Sequence, residues 1–210
     1  MRTNKLLFSL FAASALCGAA AAADMPGSHD PQGMKRFQGS QIIQFINRSF
    51  DHYTFATGPG TPGGGFTKSE ALEGQVTRVI YHIPSGHTPL ELLRNYEHML
   101  ADAGFKTAYE IQPCATLEWG GYFVGKFYGQ GGPTDNNPFT VVSNGCYIYA
   151  KGTAGGKQAG VAVLVGELSS DVNFHPIGGA PNQVIPIKNG DVLVEVDEVI
   201  AVPVANGMTK

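Results

Sequence analysis

The chain has 210 residues, of which 43% are hydrophobic and 15% are charged, and its formal net charge is −3. This length suits one domain or two small ones, with enough apolar residues for a folded core. The mild acidity, without a run of Lys or Arg, argues against nucleic-acid binding, which needs clustered positive charge.

The amino terminus has the pattern of a secretory signal peptide over residues 1–23. Arg2 and Lys5 precede an apolar run, which ends in alanines directly before Asp24. The run is too short and too rich in alanine for a stable transmembrane helix, and no later stretch reaches about eighteen apolar residues. We therefore expect an exported protein, with one domain over residues 24–210 and no membrane span once the leader is removed.

Cys17 within this leader raises the alternative of a lipoprotein. A cysteine that receives lipid normally follows a small residue and has an aliphatic residue three positions before it. Leu16 and Ser14 occupy these two positions, which reverses the requirement. The pattern therefore favours an ordinary leader cysteine that is removed with the leader.

Two cysteines follow the leader, Cys114 and Cys146. In an oxidising compartment an isolated pair of cysteines favours a disulfide. A redox-active or metal-binding pair is the alternative, but such cysteines usually lie only a few residues apart. We therefore predict a structural disulfide between Cys114 and Cys146.

After an extended amino-terminal segment, residues 24–40, most of the chain has strand patterns. These patterns cover residues 41–45, 51–55, 75–83, 105–109, 139–142, 146–150, 161–165 and 192–202. Glycine, proline and polar residues predict a turn at 47–49, a hairpin turn at 152–157, and loops at 58–65, 130–138 and 173–186.

One amphipathic helix is predicted over about residues 88–103. Thr88 suits the N-cap, Pro89 the first helical position, and Glu91 completes a capping box. Gly104 supplies the residue type that commonly ends a helix. The fold class that follows is α+β, with a mostly antiparallel sheet, this helix packed on it, and room for a second short helix.

Local patterns that resemble catalytic motifs lack essential residues. The segment 152–157 lacks the first glycine and the final Ser or Thr of a phosphate-binding loop. His82 and His87 flank a turn, but no third zinc ligand is spaced nearby. The sequence therefore predicts no catalytic residues, no cofactor and no metal site.

The strongest polar constellation lies on predicted strands. Arg78 and His82 share one face of the strand at 75–83, and Glu195 and Asp197 share one face of the last strand. Solvent-facing alternation on a half-buried sheet is the preferred interpretation. A buried arginine that locks the strand register and an exposed face that binds a ligand or partner are the alternatives.

The segment from Cys114 to Gly132 is rich in aromatic residues, among them Trp119, Tyr122 and Tyr128. Its many glycines favour strand and loop over a long helix. We expect these rings to belong to the core, with a ligand-binding or partner-binding patch as the alternative.

Residues that carry a family resemblance occur along most of the chain, in the segments 24–30, 36–40, 50–53, 72–78, 90–97 and 103–105. This series resembles an uncharacterised domain of proteobacterial envelope proteins, which often precedes an OmpA-type peptidoglycan-binding domain. The resemblance implies no catalytic residues. Gly86-His87-Thr88 matches only the start of the OmpA-type G-H-T-D motif, because Pro89 stands at the aspartate position. We therefore expect no OmpA-type domain in this chain.

Three hypotheses for the function follow. The leading one is a non-enzymatic domain of the bacterial periplasm that binds envelope proteins or outer-membrane components and associates peripherally with the outer membrane. The second is a cell-wall or sugar hydrolase, which would need two of Glu118, Glu195 and Asp197 about 5–10 Å apart. The third is a carrier of small apolar ligands that uses the aromatic patch around Trp119, Tyr122 and Tyr128.

Overall fold

The computed structural model describes residues 23–61, 66–111, 114, 139 and 142–205. Almost all of the predicted leader therefore lies outside the described residues, as do Glu118, Trp119, Tyr122 and Tyr128. The predicted loop at 130–138 and residues 62–65 of the predicted glycine-rich loop lie outside them as well.

An antiparallel sheet of six strands forms the centre of the fold. The described elements are β1 (Gln41–Ala56), β2 (Ser69–Ile83), α1 (Pro89–Asp102), β3 (Lys106–Ile111), β4 (Val142–Ala154), β5 (Lys157–Leu168), β6 (Val172–Phe174), β7 (Ile185–Ile187) and β8 (Val192–Ile200). The large sheet has the order β1-β2-β8-β5-β4-β3, and β6 pairs with β7 in a separate ribbon. The predicted α+β fold with a mostly antiparallel sheet is confirmed.

The prediction of two short strands at 41–45 and 51–55 is wrong, because β1 is continuous through both. The polar residues at 47–49 form no turn. Asn47 and Arg48 pair with β2, and Ser49 lies in the register shift between Arg48 and Asp51, which absorbs the irregularity as a bulge. β2 likewise begins at Ser69, six residues before the predicted start. Long pairing between these two strands overrides the local turn preference of the polar residues.

Other boundaries also differ from the predictions. The strand expected at 146–150 lies within the longer β4, which begins at Val142 and whose ladder with β5 continues past Gly145. Of the strand expected at 139–142, Phe139 is not in a strand and residues 140 and 141 lie outside the described residues. The predicted loop at 173–186 contains most of β6 and the start of β7. Among the described residues α1 is the only helix, so the second short helix is not found there.

The helix α1 has the predicted start and end. Thr88 is the N-cap, and its hydroxyl accepts a hydrogen bond from the Glu91 backbone N–H at 3.2 Å. The Glu91 carboxylate Oε1 instead lies 3.2 Å from His87 Nδ1, so only the threonine half of the capping box is formed. Gly104 follows with a φ of 84°, a conformation that glycine adopts without strain.

Apolar side chains are buried on both faces of the large sheet. On one face, Val79, Cys146, Val163 and Val194 pack with α1 and with Met25 and Met34 of the amino-terminal segment. On the opposite face the buried side chains include Ile43, Phe55, Ile80, Tyr147 and Leu193. Burial on both faces explains why all nine residues of β8 are buried, its three acidic residues included, rather than every second one.

The predicted disulfide is present between Cys114 and Cys146, whose Cα atoms are 4.6 Å apart. Cys146 is fully buried in β4, beneath α1, and Cys114 packs against the same core. The bond therefore ties the chain after β3 to β4, the neighbouring strand of the sheet.

Candidate functional site

A groove of about 670 Å³ lies between the amino-terminal segment and α1. Residues 33–38 of the segment, without Met34, form one wall, and residues of the second half of α1 and its C-cap form the other. This volume falls within the range of about 300–1,000 Å³ that small-molecule sites occupy in proteins.

Charged contacts hold the amino-terminal wall of the groove in place. Arg36 forms ion pairs with Asp24 at 2.6 Å and with Asp30 at 2.9 Å, and its guanidinium lies 5.6 Å from the centre of the Tyr81 ring. The Tyr81 hydroxyl donates to Asp30 at 2.8 Å. Asp24 also accepts a hydrogen bond from the Ile42 backbone N–H, which fastens the segment to β1.

The floor of the groove is apolar and its rims are polar. Phe37, Tyr96 and Met99 supply the apolar lining, and all three also pack on the core beneath α1. The polar lining residues are Lys35, Arg36, Gln38, Asn95, His98 and Asp102. These rims carry charges of both signs, so the groove does not favour a ligand of one charge.

The Tyr96 hydroxyl is buried without a hydrogen-bond partner that meets normal geometry, and the residue is only 3% exposed. Burial raises the pKa of this hydroxyl, and the nearby Phe37 backbone N–H opposes that rise. The N–H can supply a donor, but no residue in the described part of the chain accepts the hydroxyl proton. A buried donor in this state costs about 1–3 kcal/mol.

The predicted polar constellation is brought together only in part. Arg78 lies opposite Asp197 in the β2–β8 ladder, and its Nε is 2.6 Å from an Asp197 oxygen and 3.4 Å from a Glu195 oxygen. The Tyr53 hydroxyl of β1 donates to Asp197 at 2.6 Å. We call these four residues, Arg78, Glu195, Asp197 and Tyr53, the Arg78 cluster.

We predicted that Arg78, Glu195 and Asp197 face solvent on a half-buried sheet, and this prediction is wrong. Arg78 is 5% exposed, and Glu195 and Asp197 are 1% exposed each. Both faces of the sheet are covered, so strand alternation here separates two buried faces instead of a buried face from a wet one. The structure thus has the buried arginine that locks the register of β2 against β8.

The charges in the Arg78 cluster stabilise each other. Burial disfavours the charged form of Arg78, but Asp197 and Glu195 outweigh this and raise the pKa of its guanidinium well above the ordinary value. Burial, reinforced by the Asp197 carboxylate, raises the pKa of the Tyr53 hydroxyl. The guanidinium therefore stays charged and the phenol stays neutral at physiological pH.

His82 belongs to a different contact, although it shares a strand face with Arg78. Its Nε2 lies 2.8 Å from an oxygen of Asp191, the residue directly before β8. Asp191 also accepts the backbone N–H groups of Ser85 and Lys188. Burial raises the pKa of the Asp191 carboxyl, but the hydrogen bond with His82 and these two backbone bonds outweigh burial and lower it. His82 therefore fastens the turn after β2 to the turn before β8.

The remaining predicted site residues stay predictions. Trp119 and Tyr122, and the Glu118 of the hydrolase hypothesis, lie outside the described residues. The other two carboxylates of that hypothesis, Glu195 and Asp197, both contact the same guanidinium. Within the described ranges, no three His, Cys, Asp or Glu side chains come together as a metal site.

Glu198 is a buried carboxyl that the sequence interpretation missed. It points to the helix side of β8, where Oε2 accepts the Gln32 backbone N–H at 3.1 Å and Oε1 has no partner. Burial raises the pKa of Glu198 to about 7. Its position between Val196 and Ile200 on the apolar side of a strand was the available signal, because alternation separates it from Glu195 and Asp197.

Glu198→Gln is expected to flatten the pH dependence of the unfolding free energy between about pH 5 and 7. The folded-state pKa of about 7 exceeds the ordinary value of 4.5, so in this window the folded chain holds a proton that the unfolded chain has lost. The unfolding free energy of the wild type therefore falls as the pH rises through the window. Glutamine resembles the protonated acid and cannot titrate, so the variant should exceed the wild type by about 1–2 kcal/mol at pH 8.

Urea unfolding at pH 4, 6 and 8 measures this difference. Glu73→Gln, which changes an exposed carboxylate of β2, is the matched control and should keep the pH dependence of the wild type. Equal pH profiles of the wild type and Glu198→Gln would refute the role assigned to Glu198.

A scan of the chain against protein-family models and a search of curated proteins both found no match. Within the part of the chain that the structure describes, no helix has the length and apolar character needed to cross a bilayer.

Proposed function

We propose that this chain is an exported, non-enzymatic domain of the bacterial cell envelope that binds a periplasmic or outer-membrane component in the groove between the amino-terminal segment and α1. The groove, with its apolar floor and polar rims, carries this proposal. Concave sites that combine an apolar lining with a few convergent polar groups are typical of ligand binding in proteins.

Export is supported by the leader pattern and by the Cys114–Cys146 disulfide, since such bonds persist mainly in oxidising compartments. Removal of the leader before Asp24 would leave intact the contacts of Asp24 with Arg36 and Ile42. The groove wall that depends on these contacts is therefore compatible with the expected cleavage. The resemblance to proteobacterial envelope domains supports the same compartment.

Binding without turnover is supported by the chemistry of the described charged groups. The Arg78 cluster is buried within the sheet, and Arg36 is engaged by Asp24 and Asp30. These charges hold strands and segments together. The groove contributes shape and hydrogen-bonding groups, which suit recognition of a component rather than bond cleavage.

Photo-crosslinking in intact cells tests the proposal. A photoreactive residue at His98, on the exposed rim of the groove, is expected to capture an envelope component. The same residue at Leu90, which is 46% exposed on α1 but outside the groove, is the matched control. Osmotic-shock fractionation should release the processed protein with the periplasm. Equal capture from both positions, or an unprocessed cytosolic protein, would refute the proposal.

A further inference from the structure

We infer that docking of the amino-terminal segment, residues 24–40, is linked to protonation of Glu198, so that the segment closes over the sheet in acid and opens locally as the pH rises. Residues 33 and 35–38 of this segment form one wall of the groove. Opening would therefore remove that wall, and this consequence for the groove rests on the proposed function. The linkage itself concerns only the contact between the segment and β8.

Glu198 lies beneath the amino-terminal segment. Its side chain is on the face of β8 that carries Val196, and Met25 and Met34 of the segment belong to the same core cluster. Glu198 is 1% exposed, and the Gln32 backbone N–H of the segment donates to Oε2 at 3.1 Å. The segment is thus part of the cover that separates this carboxyl from water, and its departure would expose the carboxyl.

The protonated form of Glu198 fits this site better than the carboxylate does. Oε1 has no hydrogen-bond partner among the described residues, so ionisation would bury a charge that has a single backbone donor. Thr77 and Val161 lie opposite Glu198 in the two flanking ladders and carry no charge, and Glu195 and Asp197 project to the other face of β8. Burial of a poorly compensated charge is strongly disfavoured, and it raises the pKa of Glu198 to about 7.

Protonation therefore favours the docked segment over the open one. When the segment opens, water can solvate the carboxylate, so the pKa of Glu198 should return toward its ordinary value of 4.5. Between the two values the docked state retains a proton that the open state has lost. The equilibrium constant for opening therefore rises with pH in this window, by about tenfold per pH unit at most.

The ion pairs that fasten the segment have the opposite pH dependence. Arg36 pairs with Asp24 at 2.6 Å and with Asp30 at 2.9 Å. Protonation of either aspartate in acid would weaken these pairs and loosen the segment. A segment that docks more firmly in acid therefore cannot owe this behaviour to its ion pairs.

Two tyrosines and two histidines also lie close to the segment. Tyr81 of β2 and Tyr96 of α1 belong to the core cluster that the segment helps to cover, and burial raises the pKa of both hydroxyls, so both stay neutral. His87, which precedes α1, contacts the Phe37 ring at 4.8 Å. The charge of His29, within the segment, lowers the pKa of the buried carboxyl. The two histidines are therefore the groups that an experiment has to separate from that carboxyl.

Hydrogen exchange followed by NMR tests the inference on the disulfide-bonded, processed chain at pH 5.5, 6.5 and 7.5. The amides of Gln32 and Met25 report opening, because they donate to Glu198 and to the Ile42 backbone oxygen. Their protection, corrected for the intrinsic exchange rate at each pH, should fall about tenfold or more between pH 5.5 and 7.5. The Val194 amide, on the central strand β8, should stay about a hundredfold or more better protected, because it exchanges only on global unfolding.

Glu198→Gln separates titration of this carboxyl from its contact with the segment. Glutamine keeps an acceptor for the Gln32 N–H but cannot titrate, so protection of the segment should vary less than about twofold over the same pH range. Glu198→Leu, read at the Met25 amide, should lose the pH trend as well. Glu73→Gln, which changes an exposed carboxylate of β2, is the matched control and should keep the fall of the wild type.

His29→Ala and His87→Ala should each keep most of the fall in protection. The inference is overturned if the wild type shows no fall, if Glu198→Gln retains it, or if either histidine variant abolishes it. Segment amides that are as well protected as Val194 would overturn it too, because the segment would then open only with the whole chain.

The crosslink from His98 tests the proposed function separately. Capture from His98 without pH-dependent opening would remove the linkage and keep the proposed function, whereas opening without capture would remove only the proposed function. Where both are found, capture should be weaker at pH 8 than at pH 6 in the wild type and equal at both in Glu198→Gln. Equal capture at both pH values in the wild type would overturn the link between the segment and the groove.

Discussion

Arg78→Met is expected to lower the free energy of unfolding by about 3–5 kcal/mol at pH 8. The guanidinium is buried between Asp197 and Glu195, so its removal leaves two carboxylates in the interior without their opposite charge. Urea unfolding followed by circular dichroism measures the loss. We expect the loss to shrink toward pH 4. Buried carboxyls without a positive partner have raised pKa values, so they become protonated as the pH falls and no longer carry an uncompensated charge.

Arg94→Met is the control for removal of an arginine. Arg94 pairs with Glu97 and Glu110 at the protein surface, where its side chain is 43% exposed, so its loss should cost about 0–1 kcal/mol. Arg78→Lys, which keeps the charge but not the forked geometry, should fall between the two. Equal effects of Arg78→Met and Arg94→Met, or an effect independent of pH, would contradict the role of the Arg78 cluster.

The double variant Cys114→Ala with Cys146→Ala is expected to lose about 4 kcal/mol of unfolding free energy. The disulfide closes a loop with a sequence separation of 32, so its removal enlarges the unfolded ensemble. Because Cys146 is fully buried under α1, alanine also removes some packing there. The shift of the urea midpoint measures the combined effect.

Dithiothreitol provides the control for this variant. Reduction should move the wild-type midpoint most of the way to that of the double variant and leave the double variant unchanged. A wild type whose unfolding is insensitive to complete reduction, checked by thiol titration, would show that the bond does not contribute to stability.

Alternation on β8 shows how much of the Arg78 cluster could be predicted. The alternation of side chains along each strand placed Arg78, Glu195 and Asp197 on the correct strand faces. Whether that face is exposed or buried depends on what covers the sheet, and the alternation within one strand does not show this. The same limit hid Glu198, which stands on the helix side among valines.

The groove was predictable only as its separate halves. Asn95, His98 and Asp102 fall on or near the polar side of a predictable helix, whereas Lys35 and Gln38 belong to a segment without a periodic pattern. The juxtaposition depends on ion pairs between Arg36 and two aspartates and on a hydrogen bond between Tyr81 and Asp30, 51 positions apart. No local signal encodes contacts across that separation.

The sequence by itself determined the features that arise from neighbouring residues and from composition. These are the helix with its Thr88 cap and Gly104 end, the α+β class and the disulfide pair. The tertiary structure alone decided the continuity of β1, the burial of Arg78 and the groove. Each of these depends on strand pairing or segment docking between distant residues, where packing and charge neutralisation outweigh local preference.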